Sequence, residues 1–329
     1  MPEARYVKAI TEALAEEMAR DERVIVLGED VGMPGGAFGA TRGLIEKFGP
    51  GRVRDTPISE TAIVGAAVGA AVNGLRPVAE IMFMDFIGTC WDQIVNQMAK
   101  MRYMFGGQLR LPVVLRTHVG AGLNAGPQHS GSLEAWAVHV PGLKVVMPST
   151  PADAKGLLKA AIRDDNPVLV VEAKTLYGTK GQVPDGEHLV PLGRADVKRA
   201  GRDVTIVALS RMVHEALRAA DVLDGEGIDA EVIDPRTLSP LDVGTILGSV
   251  RKTGRLVVAH EAWAPCGVGS EILALVAEQA PALLRAPARR VTPPFTPVPF
   301  SPPMEKFWLP NAASIASAVR EVITACASR

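Results

Sequence analysis

The sequence predicts an α/β protein made of two doubly wound domains. Short apolar runs rich in valine and isoleucine alternate with segments of helical periodicity, as in parallel sheets covered by helices. The chain has 329 residues, which is more than one ordinary core organises. A stretch rich in glycine, proline and aspartate at 178–193 interrupts the alternation and is predicted to be a linker. We therefore predict a first domain over 1–185 and a second over 186–329.

The elements of the first domain follow from local patterns. Apolar residues in 5–20 recur every three or four positions, which predicts a helix. A second helix is predicted over 150–164, because a threonine and a proline at its start are typical of an N-cap and a first helical residue. Short apolar runs bounded by polar residues, Gly or Pro predict buried strands at 23–30, 76–83, 111–119, 143–149 and 166–174.

The second domain repeats this alternation. A proline-rich stretch at 291–310 is predicted to run extended over a surface and to serve as a contact arm, because proline lacks the amide donor that helices and sheets use. The predicted strands are 203–210, 229–235 and 255–262, and the predicted helices are 211–225, 239–252, 267–284 and 311–326.

Composition excludes several classes of function. Thirty-five basic and 36 acidic residues give a net charge of −1, so nothing favours a nucleic-acid or acidic-membrane partner. The N-terminus lacks an apolar signal core, and no apolar run approaches the roughly 20 residues of a membrane span. The three cysteines lie far apart and outside any CxxC motif. They predict a reducing compartment, and we expect a cytoplasmic protein.

Common catalytic motifs are missing from the sequence. It contains no HExxH, no GxSxG and no Walker-type GK[ST]. The glycine-rich segment at 28–39 follows a predicted strand, but its spacing is not the GxGxxG of dinucleotide-binding domains. Self-contained metal, hydrolase and nicotinamide chemistries are therefore disfavoured.

Three features remain as candidates for chemistry. Glu60 lies in the first turn of a predicted helix rich in glycine and alanine, where it either complements the helix dipole or acts as a functional acid. Phe83 and Phe86 flank a strand-to-helix turn, where they either fill the core or stack on a planar ligand. His129 ends a glycine-rich loop, where it is either structural or able to reach a cleft.

Blocks around these features resemble one family. The blocks "LGEDVG", "RVRDTPISE", "GLRPVAEIMFMDF", "GPQHSGSLEAW" and "EVIDPRTLSPLD", in this order, resemble the β subunit of the thiamine-diphosphate-dependent decarboxylase component of 2-oxo acid dehydrogenase complexes. The resemblance extends from about residue 5 to the C-terminus. It implies a pyrimidine-binding domain followed by a domain similar to the C-terminal domain of transketolase.

The resemblance implies a role for each candidate. Glu60 matches the glutamate that hydrogen-bonds the pyrimidine ring of the cofactor, and protonation there activates its exocyclic nitrogen as a base. Phe86 matches the ring that packs on the pyrimidine, and it is preferred to Phe83. His129 matches a histidine that steadies the substrate and assists acyl transfer to lipoamide. Glu29 matches an acidic residue in a buried passage between two active sites.

A potassium site is implied by the same resemblance. The segment "AAIRDDNP" matches a loop that holds a structural monovalent cation, and the end of a helix offers free carbonyl groups for such an ion. The implied ligands are Val113, Ala161, Ile162, Asp164 and Asn166.

Parts that the chain lacks imply partners. The family holds the diphosphate and magnesium with a GDG…N motif, which is missing here, so an α subunit is expected to hold both in an assembly of two α and two β chains. The lipoyl acyltransferase core of the complex is a further expected partner. The substrate stays open between a pyruvate-like 2-oxo acid, acetoin and a branched-chain 2-oxo acid. A non-catalytic assembly subunit is the alternative from a different class.

Overall fold

The computed structural model describes residues 2–327 and the side chains up to residue 325, so Cys326 lies outside the described side chains. The chain divides by its contacts into two compact units. The first contains the residues up to Gly120 and Trp136–Leu192, and the second contains Ala121–Ala135 and the residues from Gly193 onward. The segment 121–135, which lies inside the predicted first domain, thus packs with the second unit.

A parallel sheet forms the centre of the first unit. Its strands from this unit run in the order β6-β7-β5-β4-β2-β3, and each neighbouring pair is parallel. The side chains of β2, β4, β5 and β7 are buried along their whole length, as expected for apolar strands covered on both faces. The strands are β1 (Glu3–Arg5), β2 (Val24–Gly28), β3 (Val53–Asp55), β4 (Arg76–Ile81), β5 (Val114–Val119), β6 (Lys144–Val146), β7 (Val168–Ala173) and β8 (Lys180–Gln182).

Helices cover this sheet. The helix α6 begins as predicted, because Thr150 accepts a hydrogen bond from the Asp153 amide (3.1 Å) and Pro151 follows it. Apolar residues of α1 and α6 share one core cluster with the strands, whereas α3 packs on β4. The helices are α1 (Tyr6–Arg20), α2 (Leu44–Phe48), α3 (Glu60–Val72), α4 (Met101–Met104), α5 (Glu134–Val138, which crosses the division between the units) and α6 (Pro151–Arg163).

The second unit has its own sheet of five strands, in the order β14-β13-β10-β11-β9. All its pairs are parallel except that of β9 with β11. The strands of this sheet are β9 (Asp196–Arg199), β10 (Val204–Ala208), β11 (Ala230–Asp234), β13 (Leu256–Ala259) and β14 (Arg289–Val291), and β12 (Thr237–Ser239) lies outside it. The helices are α7 (Arg211–Asp224), α8 (Val243–Thr253), α9 (Val268–Gln279), α10 (Pro302–Trp308) and α11 (Ala312–Ala327). The prediction of two α/β domains is confirmed.

Two local predictions are wrong. The stretch 178–193 is not wholly a linker, because β8 pairs antiparallel with β1. The proline-rich arm is not extended throughout, because 302–308 form α10, in which prolines occupy the first helical positions and need no amide donor there. Within residues 2–327, no helix is both long and apolar enough to cross a membrane.

Candidate active site

Glu60 is the first residue of α3, and its carboxylate is partly exposed at the helix N-terminus. Ser59 occupies the N-cap position but makes no side-chain cap, so the carboxylate of Glu60 is the acidic group of this first turn. Thr89 Oγ1 lies 3.2 Å from Glu60 Oε2. Burial, together with the charge of Glu60, raises the pKa of the nearby Cys90 thiol to about 12.

Phe86 lies on the other side of Thr89. The Thr89 Oγ1 atom is 2.8 Å from the backbone carbonyl oxygen of Phe86, so its single proton is donated either to this carbonyl or to the Glu60 carboxylate. Phe86 belongs to a 3₁₀ helix at 84–90, which is followed by a π-helix at 93–98. The structure therefore brings Glu60 and Phe86 together at one corner of the first unit. We call the set Glu60, Phe86 and Thr89 the cofactor corner.

An aromatic chain leads from this corner into the unit. The ring of Phe86 meets Phe83 edge-on at 5.5 Å, and Phe83 meets Phe38 at 5.8 Å. Phe83 is thus enclosed by other rings and by Lys174, whose Nζ lies 5.2 Å from its centroid. Of the two rings, Phe86 belongs to the residue that contacts Thr89, and its role as the stacking residue stays a prediction.

Glu29 follows β2 and is partly buried. Burial raises its pKa, and the negative charges of Glu60 and Asp30 raise it further. Glu29 and Glu60 are therefore close enough for their charges to interact, and Glu29 takes up a proton more readily than an ordinary glutamate does.

A buried ion cluster supports the strands behind the aromatic chain. Arg116 is fully buried and donates to Glu80 (2.6 Å) and to both carboxylate oxygens of Glu172 (2.8 Å each). Burial alone would lower the pKa of Arg116, but the two carboxylates raise it well above its ordinary value. Burial alone would raise the pKa of Glu172, but the charge and hydrogen bonds of Arg116 keep the Glu172 pKa below its ordinary value.

His118 connects this ion cluster to the strand that leads to the corner. Its Nδ1 donates to the Met82 carbonyl oxygen (2.6 Å), and its Nε2 lies 2.6 Å from the Tyr177 hydroxyl. Burial lowers the pKa of His118, so the ring is neutral at ordinary pH. The carbonyl at the start of the turn is therefore held by a neutral, buried imidazole.

His129 lies in the second unit, in a 3₁₀ turn at 127–129, and its side chain is partly exposed. Its amide donates to the Gly126 carbonyl oxygen (3.4 Å). The cofactor corner belongs to the first unit, and His129 belongs to the second. The glycine-rich approach to His129 contains several residues with positive φ, including Gly120, Gly122 and Gly126.

The residues of the predicted potassium site meet at one end of the first unit. The Val113 carbonyl accepts from the Val168 amide (2.9 Å), and the Ala161 carbonyl accepts from the Asp164 amide (3.2 Å). Asn166 donates to the Asp164 carboxylate (2.8 Å). Two cationic side chains lie here as well. Arg76 donates to the carbonyls of Ile162 (2.9 Å) and Asp164 (2.8 Å), and Lys144 pairs with the Asp164 carboxylate.

Sequence reasoning missed Thr89 and the buried ion cluster. Thr89 had a weak signal, since it lies three residues after Phe86. The cluster had a clearer one, because Glu80, Arg116 and Glu172 are charged residues inside otherwise apolar strand segments. Charged side chains in fully buried strands must pair. No group of three or more His, Cys, Asp or Glu side chains among the described residues could hold a metal.

Comparisons with known proteins identify two domains in the chain. Residues 3–180 match the transketolase pyrimidine-binding domain, and residues 193–315 match the transketolase C-terminal domain. The β subunit of acetoin:2,6-dichlorophenolindophenol oxidoreductase from Cupriavidus necator is 53% identical, over 96% of each chain. The β subunit of the pyruvate dehydrogenase E1 component from Bacillus subtilis is 47% identical, over 98% of this chain and 99% of its own length. A solved structure described as a split-gene transketolase, inactive beta4 tetramer, has a TM-score of 0.81 and 26% identity, over 97% of this chain and 98% of that one.

Proposed function

Because the chain belongs to the transketolase-like β subunits of the E1 components of 2-oxo acid dehydrogenase complexes, we propose that it decarboxylates a small, pyruvate-like 2-oxo acid together with an α subunit. The acyl group then passes to lipoamide on the acyltransferase core. This family is thiamine-diphosphate dependent, and relatives that are β subunits imply an α subunit as partner. The split-gene transketolase, described as an inactive tetramer of β chains, supports the need for a second kind of chain. The observation that carries the proposal is the cofactor corner, where the Thr89 hydroxyl lies within hydrogen-bond distance of both the Glu60 carboxylate and the backbone carbonyl of Phe86.

The corner fits the pyrimidine end of the cofactor. Glu60 would hold a proton at the pyrimidine ring nitrogen, and Phe86 would pack on the ring face. When bound, the cofactor supplies an electron sink for the carbon that loses carbon dioxide. Glu29 adds an acidic group that interacts with Glu60, and its raised pKa makes it hold a proton more readily than an exposed glutamate does. His129 steadies the substrate and moves a proton during acyl transfer.

We assign the diphosphate and magnesium to the α subunit, because the sequence lacks the GDG…N motif. The surface beside the corner supports a close partner. The exposed face of α3 carries small side chains at Thr61, Ala62, Ala66 and Gly69. Next to the helix, the side chain of Ile58 is 82% exposed. Small side chains let another backbone approach closely, and an exposed isoleucine beside them marks a surface that a partner covers. The free thiols Cys90 and Cys266 support a cytoplasmic location for this assembly.

Acetoin is the second candidate substrate. The acetoin-type relative is 53% identical to the chain, against 47% for the pyruvate-type relative. The segments "RYMFGG" and "TPVPFSP" also look most like acetoin-type β subunits. Both substrates deliver a two-carbon acyl unit, so the roles proposed for Glu60, Phe86 and His129 serve either reaction.

Reconstitution tests the proposal. The purified chain is mixed with its α subunit, thiamine diphosphate and magnesium, and reduction of 2,6-dichlorophenolindophenol is measured with pyruvate, acetoin and a branched-chain 2-oxo acid. We expect turnover in the mixture and none with either chain alone. The preferred substrate then decides between the two candidates. A stable complex without turnover on any substrate would contradict the proposal and favour a non-catalytic assembly subunit.

Potassium is a further part of the proposal, with Val113, Ala161, Ile162, Asp164 and Asn166 as ligands. The hydrogen bonds described above gather these residues, and each carbonyl that accepts one bond keeps a second lone pair for an ion. Arg76 and Lys144 already bring positive charge to the same place, so the ion must compete with them.

Thermal unfolding in different salts tests this site. We expect potassium chloride to raise the Tm by about 2–5 °C over tetramethylammonium chloride at equal ionic strength, because an ion that binds only the folded chain stabilises it. The variant Asn166→Ala should lose this difference. An equal Tm of the unaltered chain in both salts would show that Arg76 and Lys144 are the cations of this site and that potassium is not bound.

A further inference from the structure

The loop that carries His129 is held at both ends by two neighbouring residues of the second unit. His260 and Glu261 directly follow β13. At the start of the loop, the Ala121 amide donates to Glu261 Oε1 (2.6 Å). At its end, Glu134 Oε1 lies 2.5 Å from His260 Nε2 without hydrogen-bond geometry, and both of these side chains are almost completely buried. The start of the loop is therefore hydrogen-bonded at the end of β13, and its end packs closely against the same place.

A second carboxylate binds the loop from the proline-rich arm. Glu305 lies in α10 and is only 3% exposed. Its Oε1 accepts from the Gly122 amide (2.8 Å), and the Asn124 amide lies 3.2 and 3.0 Å from its two oxygens. Gly122 and Asn124 have φ of +105° and +54°, a left-handed conformation that favours glycine and asparagine. Asparagine and glycine at these positions thus suit a backbone that turns around a carboxylate.

The remaining oxygen of Glu261 is also bound. Arg211 Nε donates to Glu261 Oε2 (2.6 Å), and Arg211 Nη2 donates to the Pro310 carbonyl at the end of the arm (3.3 Å). Loop, strand end and arm therefore belong to one hydrogen-bonded network. If the loop opened, the buried oxygens of Glu261 and Glu305 would lose their amide donors, which is costly for a charged group.

We propose that Glu261 and Glu305 are positioning residues that set the place of His129 by binding the amides of Ala121, Gly122 and Asn124. We call this arrangement the loop clamp. The proposal rests on the role proposed above for His129. It gives the proline-rich arm a second role beside that of a contact surface, because movement of α10 displaces the loop through Glu305.

The arm touches the loop at one more point. A Cβ atom added at Gly126, which has φ of +78°, would lie 3.2 Å from Cδ2 of Phe300. The Phe300 ring is still 68% exposed, and Phe307 of α10 is 86% exposed. The arm therefore lies beside the loop at Gly126 as well as binding it through Glu305.

Amide hydrogen exchange of the full isolated chain tests the clamp. We expect Glu305→Ala to speed exchange of the Gly122 and Asn124 amides about 10- to 100-fold, because the hydrogen bonds to a buried charge are lost. Glu305→Gln keeps one acceptor oxygen and should give a smaller increase. The matched control is Glu226→Ala, which removes an exposed carboxylate paired with Arg320 in the same unit and should leave the loop unchanged. Unchanged exchange of both amides in the Glu305 variants would overturn the clamp. If Glu305→Ala does not fold, the exchange rates of Glu305→Gln alone provide the test.

Kinetics of the reconstituted enzyme separate positioning from general stability. We expect Glu305→Ala to lower kcat for acyl transfer about tenfold, with an unchanged KM for thiamine diphosphate, since Glu60 and Phe86 belong to the other unit. Glu305→Gln should restore part of the rate. His129→Ala is measured alongside. If that variant kept full activity, the role of His129 would be wrong, while the exchange data would still decide whether the clamp exists. Equal losses in kcat and in cofactor affinity would mark Glu305 as structural and overturn its positioning role.

Discussion

Buried carboxylates lie behind both the cofactor corner and the His129 loop, but different donors satisfy them. In the first unit, Arg116 pairs with both Glu80 and Glu172 between three neighbouring strands. In the second unit, backbone amides of the loop bind Glu305 and one oxygen of Glu261, and Arg211 binds the other oxygen of Glu261. Charged side chains inside a sheet are held in place by the strands, so their geometry does not depend on the conformation of nearby loops. Loop amides move with the loop, so loop conformation and satisfaction of the buried charge depend on each other.

This difference separates a preformed region from an adjustable one. The cofactor corner is assembled from residues within 30 positions of one another, on elements fixed by the sheet. The His129 loop is fixed by residues 140 or more positions further along the chain, such as Glu261 and Glu305. We therefore expect the corner to bind the pyrimidine without rearrangement and the loop to respond to partners.

The largest effect should come from the corner. Glu60→Ala should lower the rate of decarboxylation by about 10³-fold, because it removes the group that holds a proton on the pyrimidine ring. The Tm should stay almost unchanged, since the partly exposed carboxylate has only a 3.2 Å contact with Thr89. Activity is measured with the artificial electron acceptor, and the Tm by calorimetry.

The control for this variant is Glu46→Ala. Glu46 is an exposed acid in the first turn of α2 in the same unit, so its loss removes a similar interaction with a helix dipole. Full activity of the Glu60 variant, or an equal loss in both variants, would remove the chemical distinction between the corner and an ordinary helix start.

A smaller and more selective effect is expected from the loop. His129→Ala should slow acyl transfer to lipoamide about 100-fold, while decarboxylation followed with the artificial acceptor falls less than about tenfold. The control is His139→Ala, which changes an exposed histidine of the first unit. If both half-reactions of the His129 variant fell equally, the loop would serve the same step as the corner and the comparison would fail.

Sequence patterns predict the features that depend on neighbours along the chain. Periodicity and capping residues predicted α1 and α6 almost to the residue, because these signals lie within the helices themselves. The same patterns predicted a strand-to-helix turn at Phe83 and Phe86, and the structure has a 3₁₀ helix and then a π-helix there. Apolar spacing does not distinguish these hydrogen-bond patterns.

The features that sequence patterns miss depend on distant pairs. Nothing near Gly122 indicates that Glu305, 183 positions later, accepts its amide. The packing of 121–135 with the second unit escaped prediction for the same reason, since the loop lies between two elements of the first. Glu60, Phe86 and His129 could be proposed from the sequence because each follows a recognisable element, but the clamp that holds His129 could not.

The smallest effect should appear in the pH dependence of stability in the first unit. Burial lowers the pKa of His118, and the charge of Arg116 lowers it further, against the opposing effect of Glu80 and Glu172. The folded chain therefore binds a proton at lower pH than the unfolded chain, in which the imidazole keeps a pKa of roughly 6.5. As the pH falls below about 6.5, the unfolded state takes up the proton first, and stability falls by at most about 1.4 kcal/mol per pH unit.

The variant His118→Gln isolates this contribution from other groups. Its amide can still donate to the Met82 carbonyl, but it has no proton to take up, so its free energy of unfolding should fall less between pH 7 and pH 5.5. Urea unfolding at both pH values measures the difference, with the exposed His139→Gln as control. An equal slope in His118→Gln and the unaltered chain would mean that His118 titrates normally. The carbonyl before the corner would then be held by a ring that gains charge in mild acid, and the corner would be as adjustable as the loop.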